Sequence, residues 1–216
     1  MTAPKVKATA KFAAFDYQAV FAEPILDLLR IMSCNRVYEA LKPWNISPEN
    51  VKYRAGQLST TEPIVSFELA KGNYTVSLGM ANFAFKGVNV AWDQAPVIIE
   101  ILKATTHVLE RDFAIKVAQH NLTIAMQLGL QGKAIRDLTL HLSKPLGLPE
   151  TTVDFYGFLL YGKDGSVIVD KSAADPTDLF VKISKKYIGT HAIEEMAREL
   201  FEDEQGLANT LGIEIE

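Results

Sequence analysis

Two runs of alternating side chains, Val65-Ser66-Phe67-Glu68-Leu69 and Tyr74-Thr75-Val76-Ser77-Leu78, are separated by only four residues, among them Lys71-Gly72-Asn73. Alternation puts the apolar side chains on one face of a strand, and a glycine-bearing turn between two such runs folds the chain back on itself. The pair predicts a β-hairpin and therefore antiparallel pairing. Phe83, Phe85, Val88 and Val90 extend the strand character, with Lys86-Gly87 read as a bulge or turn. A second hairpin is predicted where Val153 to Tyr161 and Ser166 to Asp170 flank Asp164-Gly165, a pair able to take positive φ at the turn.

Other segments fit around this framework. Val6, Ala8, Ala10, Phe12 and Ala14 alternate with Lys5, Lys7, Thr9 and Lys11, predicting a first strand over Lys5 to Tyr17. Leu179, Val181 and Ile183 predict another. Phe113, Ile115 and Val117 fall at odd positions but Leu122, Ile124, Met126, Leu128 and Leu130 at even ones, so a turn or bulge is expected at Gln119-His120-Asn121. Ile135, Leu138 and Leu142 favour a short helix over a strand in 134–142, and Lys144 to Pro149 reads as a linker.

Three helices are expected besides. Pro24 opens an apolar stretch from Ile25 to Met32, buried on most sides, which Lys42-Pro43 brings to a stop. Asp93 is placed to cap a helix whose stripe is Val97, Ile98, Ile101, Leu102, Thr105, Val108 and Leu109, opposite Glu100, Lys103, His107, Glu110 and Arg111. Thr190 is read as the cap of the last helix, with Ile193, Met196, Ala197, Leu200 and Phe201 on one face, continuing past Gly206 to Gly212 and a short alternating tail. Hairpins interrupted by helices indicate an α+β fold: a mostly antiparallel sheet with helices packed on it and a C-terminal amphipathic helix. The expected division is a main α+β domain over 1–145 and a second hairpin-strand-helix subdomain over 146–216.

Composition narrows the class of function. With 216 residues, 48% hydrophobic and 22% charged, the chain has the makings of a sizeable core and is neither disordered nor collagen-like. Its net charge of −4 is unevenly spread: residues 1–189 hold 21 Lys and Arg against 18 Asp and Glu, residues 190–216 one against eight. No dense basic stripe accompanies this, which argues against nucleic-acid binding. Cys34 is the sole cysteine, so neither an intrachain disulfide nor a multi-cysteine zinc site can form, and a reducing compartment is expected. The basic start alternates instead of reaching the apolar run of a signal peptide, and no segment is long and apolar enough to span a bilayer. A cytoplasmic protein is expected.

Several chemistries can be argued down residue by residue. Gly129-Leu130-Gln131-Gly132-Lys133-Ala134 has its glycines too close for a phosphate loop and Ala134 where a hydroxyl would hold Mg²⁺. His107, His120, His141 and His191 stand 13, 21 and 50 residues apart, without metal-ligand spacing, so no metal and no cofactor are expected. His107 on a polar helix face and His120 in a turn read as solvated. Cys34 near the end of an apolar helix reads as an inert buried thiol, and no serine sits in a Gly-x-Ser-x-Gly elbow. An enzyme would need a site of scattered residues, for which His191, Glu194 and Asp175 are candidates. The candidate interaction surface is instead aromatic: Trp44, Tyr53, Phe83, Phe85 and Trp92 concentrate in the first half, where an open sheet face could bind a ligand or another chain.

Taken together, Tyr74 to Gly79, Phe83 and Phe85, Trp92, the helix over 93–111 and the strand end Leu128-Gly129-Leu130 resemble a family of uncharacterised bacterial proteins with a strand–tryptophan–helix–strand order, over residues 62–132. That family tends to carry an arginine beside its Leu-Gly-Leu-like end, where this chain has Ile124-Ala125-Met126-Gln127. The resemblance implies a fold but no activity. In architecture and acidic balance the chain is also similar to SecB-type export chaperones. The favoured reading is a non-enzymatic cytoplasmic binding or scaffolding protein that self-associates; the alternatives are the enzyme and the chaperone.

Overall fold

The computed structural model describes residues 5–54, 62–91, 94–131, 135, 138 and 157–216. The Val65–Leu69 and Tyr74–Leu78 runs form strands β3 and β4, joined by a single 3₁₀ turn over Ala70–Gly72. Leu69 pairs with Tyr74 and Val65 with Leu78, the register the alternation requires if Val65, Phe67, Leu69, Tyr74, Val76 and Leu78 are all to be buried. The fold built outward from this hairpin is α+β. The other strands are β1 (Val6–Phe21), β2 (Val51–Tyr53), β5 (Asn82–Val88), β6 (Val117–Leu130), β7 (Phe158–Gly162), β8 (Gly165–Lys171), β9 (Leu179–Ile188) and β10 (Ile213–Ile215). They form one ten-stranded sheet in the order β2-β3-β4-β5-β1-β6-β9-β8-β7, with β10 paired to β1. The β1–β10 pairing is parallel, whereas the hairpins and β1–β5 are antiparallel. Three helices are described along their whole length: α1 (Ile31–Leu41), α2 (Ala95–Phe113) and α3 (Ile193–Leu211).

The chain divides into two compact units of discontinuous sequence. A central unit comprises Ala14–Leu122 and Lys186–Ala197, and a terminal unit comprises Met1–Ala13, Thr123–Lys185 and Arg198–Glu216. The boundary expected at 145 to 146 and the Lys144 to Pro149 linker lie outside the described residues. Of 134–142, Ile135 and Leu138 are described, both helical and buried.

In the central unit β1 pairs with β5, Tyr17 opposite Phe85 and Ala19 opposite Phe83, and these side chains are almost fully buried. Gly87 is an ordinary paired residue of β5, so the expected bulge at Lys86-Gly87 is absent. A Cβ at Gly87 would come within 2.8 Å of Val90 Cγ2, so that the Val90 side chain would have to shift. Helix α2 buries Ile98, Ile101, Leu102, Thr105, Val108 and Leu109, the expected stripe apart from Val97, which is half-buried, each large apolar member contributing about 1.5–3 kcal/mol. Asp93, its expected cap, lies outside the described residues.

Helix α1 departs from expectation. Leu26–Leu29 makes only one 3₁₀ turn, and Arg30 is extended at φ −86°, ψ 134°, which interrupts the helix before Ile31. The break rotates the Ile31–Leu41 segment, so that Ser33, Cys34, Val37 and Leu41 face inward while Leu26, Ile31 and Met32 are 68%, 66% and 74% exposed. A helix buried on most sides is thereby overturned. Its end is as expected: a 3₁₀ turn containing Pro43 succeeds Leu41.

The turn expected at Gln119-His120-Asn121 is also absent, for β6 runs unbroken from Val117 to Leu130. Phe113 closes α2, and Ala114 takes the left-handed conformation at φ 51° with its N–H bonded to the Leu109 carbonyl. Phe113 and Ile115 thus belong to a helix end, and the supposed change of phase joined a helical segment to a strand. His120 falls in phase with the buried Leu122, Met126 and Leu128 and is itself 3% exposed, not solvated.

In the terminal unit Gly162 pairs with Gly165, so the tight β7–β8 loop is Lys163-Asp164 and Gly165 opens β8. Gly165 therefore does not occupy a positive-φ turn position. A side chain is excluded there for another reason: its Cβ would lie 2.2 Å from the Ser184 carbonyl oxygen. Leu179, Val181 and Ile183 are buried on β9, as expected. Thr190 is not the cap of α3; the first helical bond runs from Met196 N–H to the Ala192 carbonyl. Ile193, Met196 and Leu200 are buried, but Phe201 is 48% exposed. Gly212 at φ 68° ends α3, and the alternating tail becomes β10, with Ile213 opposite Val6. Part of the acidic charge is paired within this unit, Lys185 to Asp203 at 2.9 Å and Glu199 at 3.5 Å, and Lys7 to Glu216.

Candidate functional site in the central unit

The odd-numbered side chains Tyr17, Ala19 and Phe21 of β1 are buried in the central unit. Tyr17 packs its ring against Phe83 at 5.2 Å and places its hydroxyl 2.8 Å from His120 Nδ1. Gly189, at φ 85°, turns the chain after β9 while its N–H bonds the Ala118 carbonyl. That turn brings His191 beside His120, their rings edge to face at 6.3 Å, with the Tyr187 ring 5.2 Å from that of His191. His191 is oriented by its Nε2–H, which donates to the Ile188 carbonyl at 3.1 Å.

His120 and His191 border a cleft of about 640 Å³. Ala22, Ala114, Ile115, Val117 and Ile193 give it apolar walls, and Thr106, Glu110, Lys116, His120, Thr190 and His191 supply the polar groups. A volume of this order is typical of small-molecule sites, and the lining here is mixed, apolar and polar residues in near-equal number. Two of its lining residues carry a buried polar atom without a hydrogen-bond partner among the described residues: His120 Nε2 and Thr106 Oγ1. The neighbouring Thr105 is satisfied, its hydroxyl donating to the Ile101 carbonyl at 2.8 Å. An unmade bond on a buried polar atom costs about 1–3 kcal/mol, so two on one cleft are a substantial departure from ordinary satisfaction.

Burial sets the protonation of the dyad. Desolvation lowers the His120 pKa below its ordinary value, the neighbouring His191 adding to the effect and the Gly189 backbone carbonyl opposing it as an acceptor that faces the ring without reaching full hydrogen-bond geometry. Desolvation also raises the Tyr17 phenol, with the Glu110 charge adding to the rise. A neutral phenol thus faces a neutral imidazole. The arrangement that leaves no buried phenol proton without an acceptor is Tyr17 Oη–H donating to His120 Nδ1, which puts the imidazole proton on Nε2. Glu110 and Lys116 are exposed, and neither makes an ion pair among the described residues.

The residues singled out from the sequence are dispersed. Phe83 and Phe85 are each 1% exposed and belong to the core, Trp44 is half-buried after α1, and Tyr53 is 42% exposed on β2. Trp92 lies outside the described residues. Of the scattered candidates, His191 does line the cleft but precedes α3, so it shares no helix turn with Glu194. Glu194 is held by Lys103 at 2.5 Å, which lowers its carboxyl pKa. Asp175 belongs to the terminal unit, accepting from the Thr177 N–H and hydroxyl, which depress its pKa. Cys34 is buried, and desolvation pushes its thiol pKa up. No group of three or more His, Cys, Asp or Glu able to hold a metal occurs among the described residues. No helix among them is long and apolar enough to cross a membrane.

Tyr17, Thr106 and His120 were missed in sequence. A signal existed for His120, whose even position continues the alternation of Leu122 to Leu130 toward the N-terminus. Tyr17 and Thr106 carried none, because each meets its surroundings only across strands or from a neighbouring helix. No protein-family model matches the chain, and a search of curated proteins found no similar sequence.

Proposed function

We propose that the chain is a binding protein whose central unit takes a small molecule in the cleft beside His120. The observation that carries this reading is the cleft of about 640 Å³, whose lining includes His120 and Thr106, each with a buried polar atom that has no hydrogen-bond partner among the described residues. The aromatic cluster contributes less, since Phe83 and Phe85 are enclosed. The lone Cys34 and the absence of a long apolar helix among the described residues support placing this binding in the cytoplasm.

The test is a thermal-shift screen of the purified chain against a panel of metabolite-sized compounds, repeated with Ile193→Trp to fill the cleft. Ligands that raise the melting temperature of the natural chain and not of the variant support the reading. A panel without such a compound refutes it. A second reading, catalysis, is favoured by one observation: a neutral imidazole positioned by a tyrosine in a cleft is suited to proton transfer. It predicts that a compound found in the screen is chemically altered on prolonged incubation, whereas the binding reading predicts its recovery unchanged.

A further inference from the structure

Strand β7 is a terminal strand of the sheet, and its exposed side chains are apolar on both faces. We infer that β7 pairs with β7 of a second copy of the chain, antiparallel and centred on Leu160, so that the sheet continues across a two-fold axis. The cleft is lined by residues of the central unit and β7 belongs to the terminal unit, so this pairing goes beyond the small-molecule reading and does not depend on it.

Phe158-Leu159-Leu160-Tyr161-Gly162 contains no charged residue and no proline, and Leu159, Leu160 and Tyr161 are 46%, 57% and 80% exposed. Edge strands are ordinarily protected by brevity or by a charged side chain. Strand β2, at the other end of the order, has both, being three residues long with Lys52 bonded to Glu68. The backbone of β7 selects the partner. Its pair Gly162–Gly165 closes a two-residue loop, and an antiparallel ladder alternates hydrogen-bonded and non-bonded pairs. Phe158, Leu160 and Gly162 therefore direct their N–H and C=O groups at β8, and Leu159 and Tyr161 direct theirs outward. A second β7 laid antiparallel with Leu160 opposite Leu160 overlaps the whole strand and sets Leu159 against the partner's Tyr161, outward groups facing outward groups. Each such pair exchanges N–H···O bonds in both directions, and the two-fold axis supplies the pair twice. Charge fits the same alignment. Lys163 of one copy falls opposite Gly157 of the other, where the Asp170 carboxylate waits, its Oδ1 3.0 Å from the place a Gly157 Cβ would take. Lys163 and Asp170 are both exposed, and neither makes an ion pair among the described residues. The pairing uses up the edge on both copies, so association closes at the dimer.

Sedimentation velocity of the full chain, from low micromolar to near-millimolar concentration, should show a reversible monomer–dimer equilibrium without larger species. Leu160→Lys sets two ammonium groups opposite each other on the axis and should abolish the dimer, while the melting transition at low micromolar concentration stays unchanged because the position is exposed. Lys163→Glu and Asp170→Lys should each weaken the dimer by about 3- to 10-fold by bringing like charges together, and the double variant should restore it. In a Cys34→Ala background, Leu160→Cys should oxidise to a covalent dimer faster than Leu159→Cys or Tyr161→Cys, since residue 160 alone faces its own copy. A chain that stays monomeric throughout the range, or a dimer undiminished by Leu160→Lys, overturns the β7 interface. Growth beyond the dimer, failure of the double charge variant to recover, or a faster cross-link at 159 or 161 overturns the Leu160-centred pairing.

Discussion

Acid should destabilise this protein through His120 before it reaches most of the carboxylates. The folded chain holds the imidazole at 3% exposure with its pKa lowered below the ordinary 6.5, chiefly by desolvation and secondarily by His191. In the unfolded chain the same ring titrates near 6.5. Between the two midpoints the unfolded state binds more protons, so stability rises with pH. The contribution is fully present above 6.5, is lost as pH falls below it, and levels off once the folded form also protonates. Each unit separating the midpoints withdraws about 1.4 kcal/mol, a large part of the roughly 5–15 kcal/mol of a typical domain. The groups facing the ring are the Tyr17 hydroxyl, His191, the Gly189 carbonyl, and Glu110 and Lys116 in the cleft. Urea unfolding of the natural chain and of Tyr17→Phe/His120→Phe, from about pH 8 to pH 5, isolates the effect, since carboxylate contributions cancel in the difference. The difference should fall with acid below pH 6.5, and the His120 NMR titration should have its midpoint under 6.5. A flat difference, or a midpoint at or above 6.5, would refute the argument.

Tyr17→Phe and His120→Phe singly should each cost about 1–3 kcal/mol by orphaning the partner, and the double variant should recover part of it, a coupling readable from a urea double-mutant cycle. Gly165→Ala should destabilise by about 1–3 kcal/mol because its Cβ would strike the Ser184 carbonyl, whereas Gly206→Ala, inside α3 with open space around the Cβ, should stabilise by up to about 1 kcal/mol; equal midpoints for the two would contradict the β8–β9 packing. Leu200→Asp should unfold the chain in a melting experiment while Phe201→Ser and Glu202→Lys change the transition little, since Leu200 is 1% and Phe201 48% exposed. Cys34 should react slowly with Ellman's reagent in the folded protein and rapidly in urea, because burial both hides the thiol and raises its pKa.

Short-range periodicity is the part of this fold that was legible in the sequence. The β3–β4 hairpin, the buried stripe of α2, the α3 terminator at Gly212 and the α+β class all come from side-chain spacing within a few residues, because a half-buried element must repeat its apolar side chains at its own period. Where two elements abut, that logic fails. Phe113 and Ile115 mimic a strand only because a helix ends there, and the extended Arg30 rotates α1 so that Ile31 and Met32 face water. Gly165 was legible as a glycine with a purpose, yet the purpose is the approach of Ser184 from another strand, not its own φ. The cleft is tertiary altogether. Its lining draws on Thr106, His120 and His191, far apart in the chain, with Tyr17 bonded to His120, and the protonation of His120 and the unmet hydrogen bonds exist only once β1, α2, β6 and the turn at Gly189 have excluded water. Sequence spacing determines which residues an element buries; only the assembled neighbours determine which buried polar atoms are left without a partner.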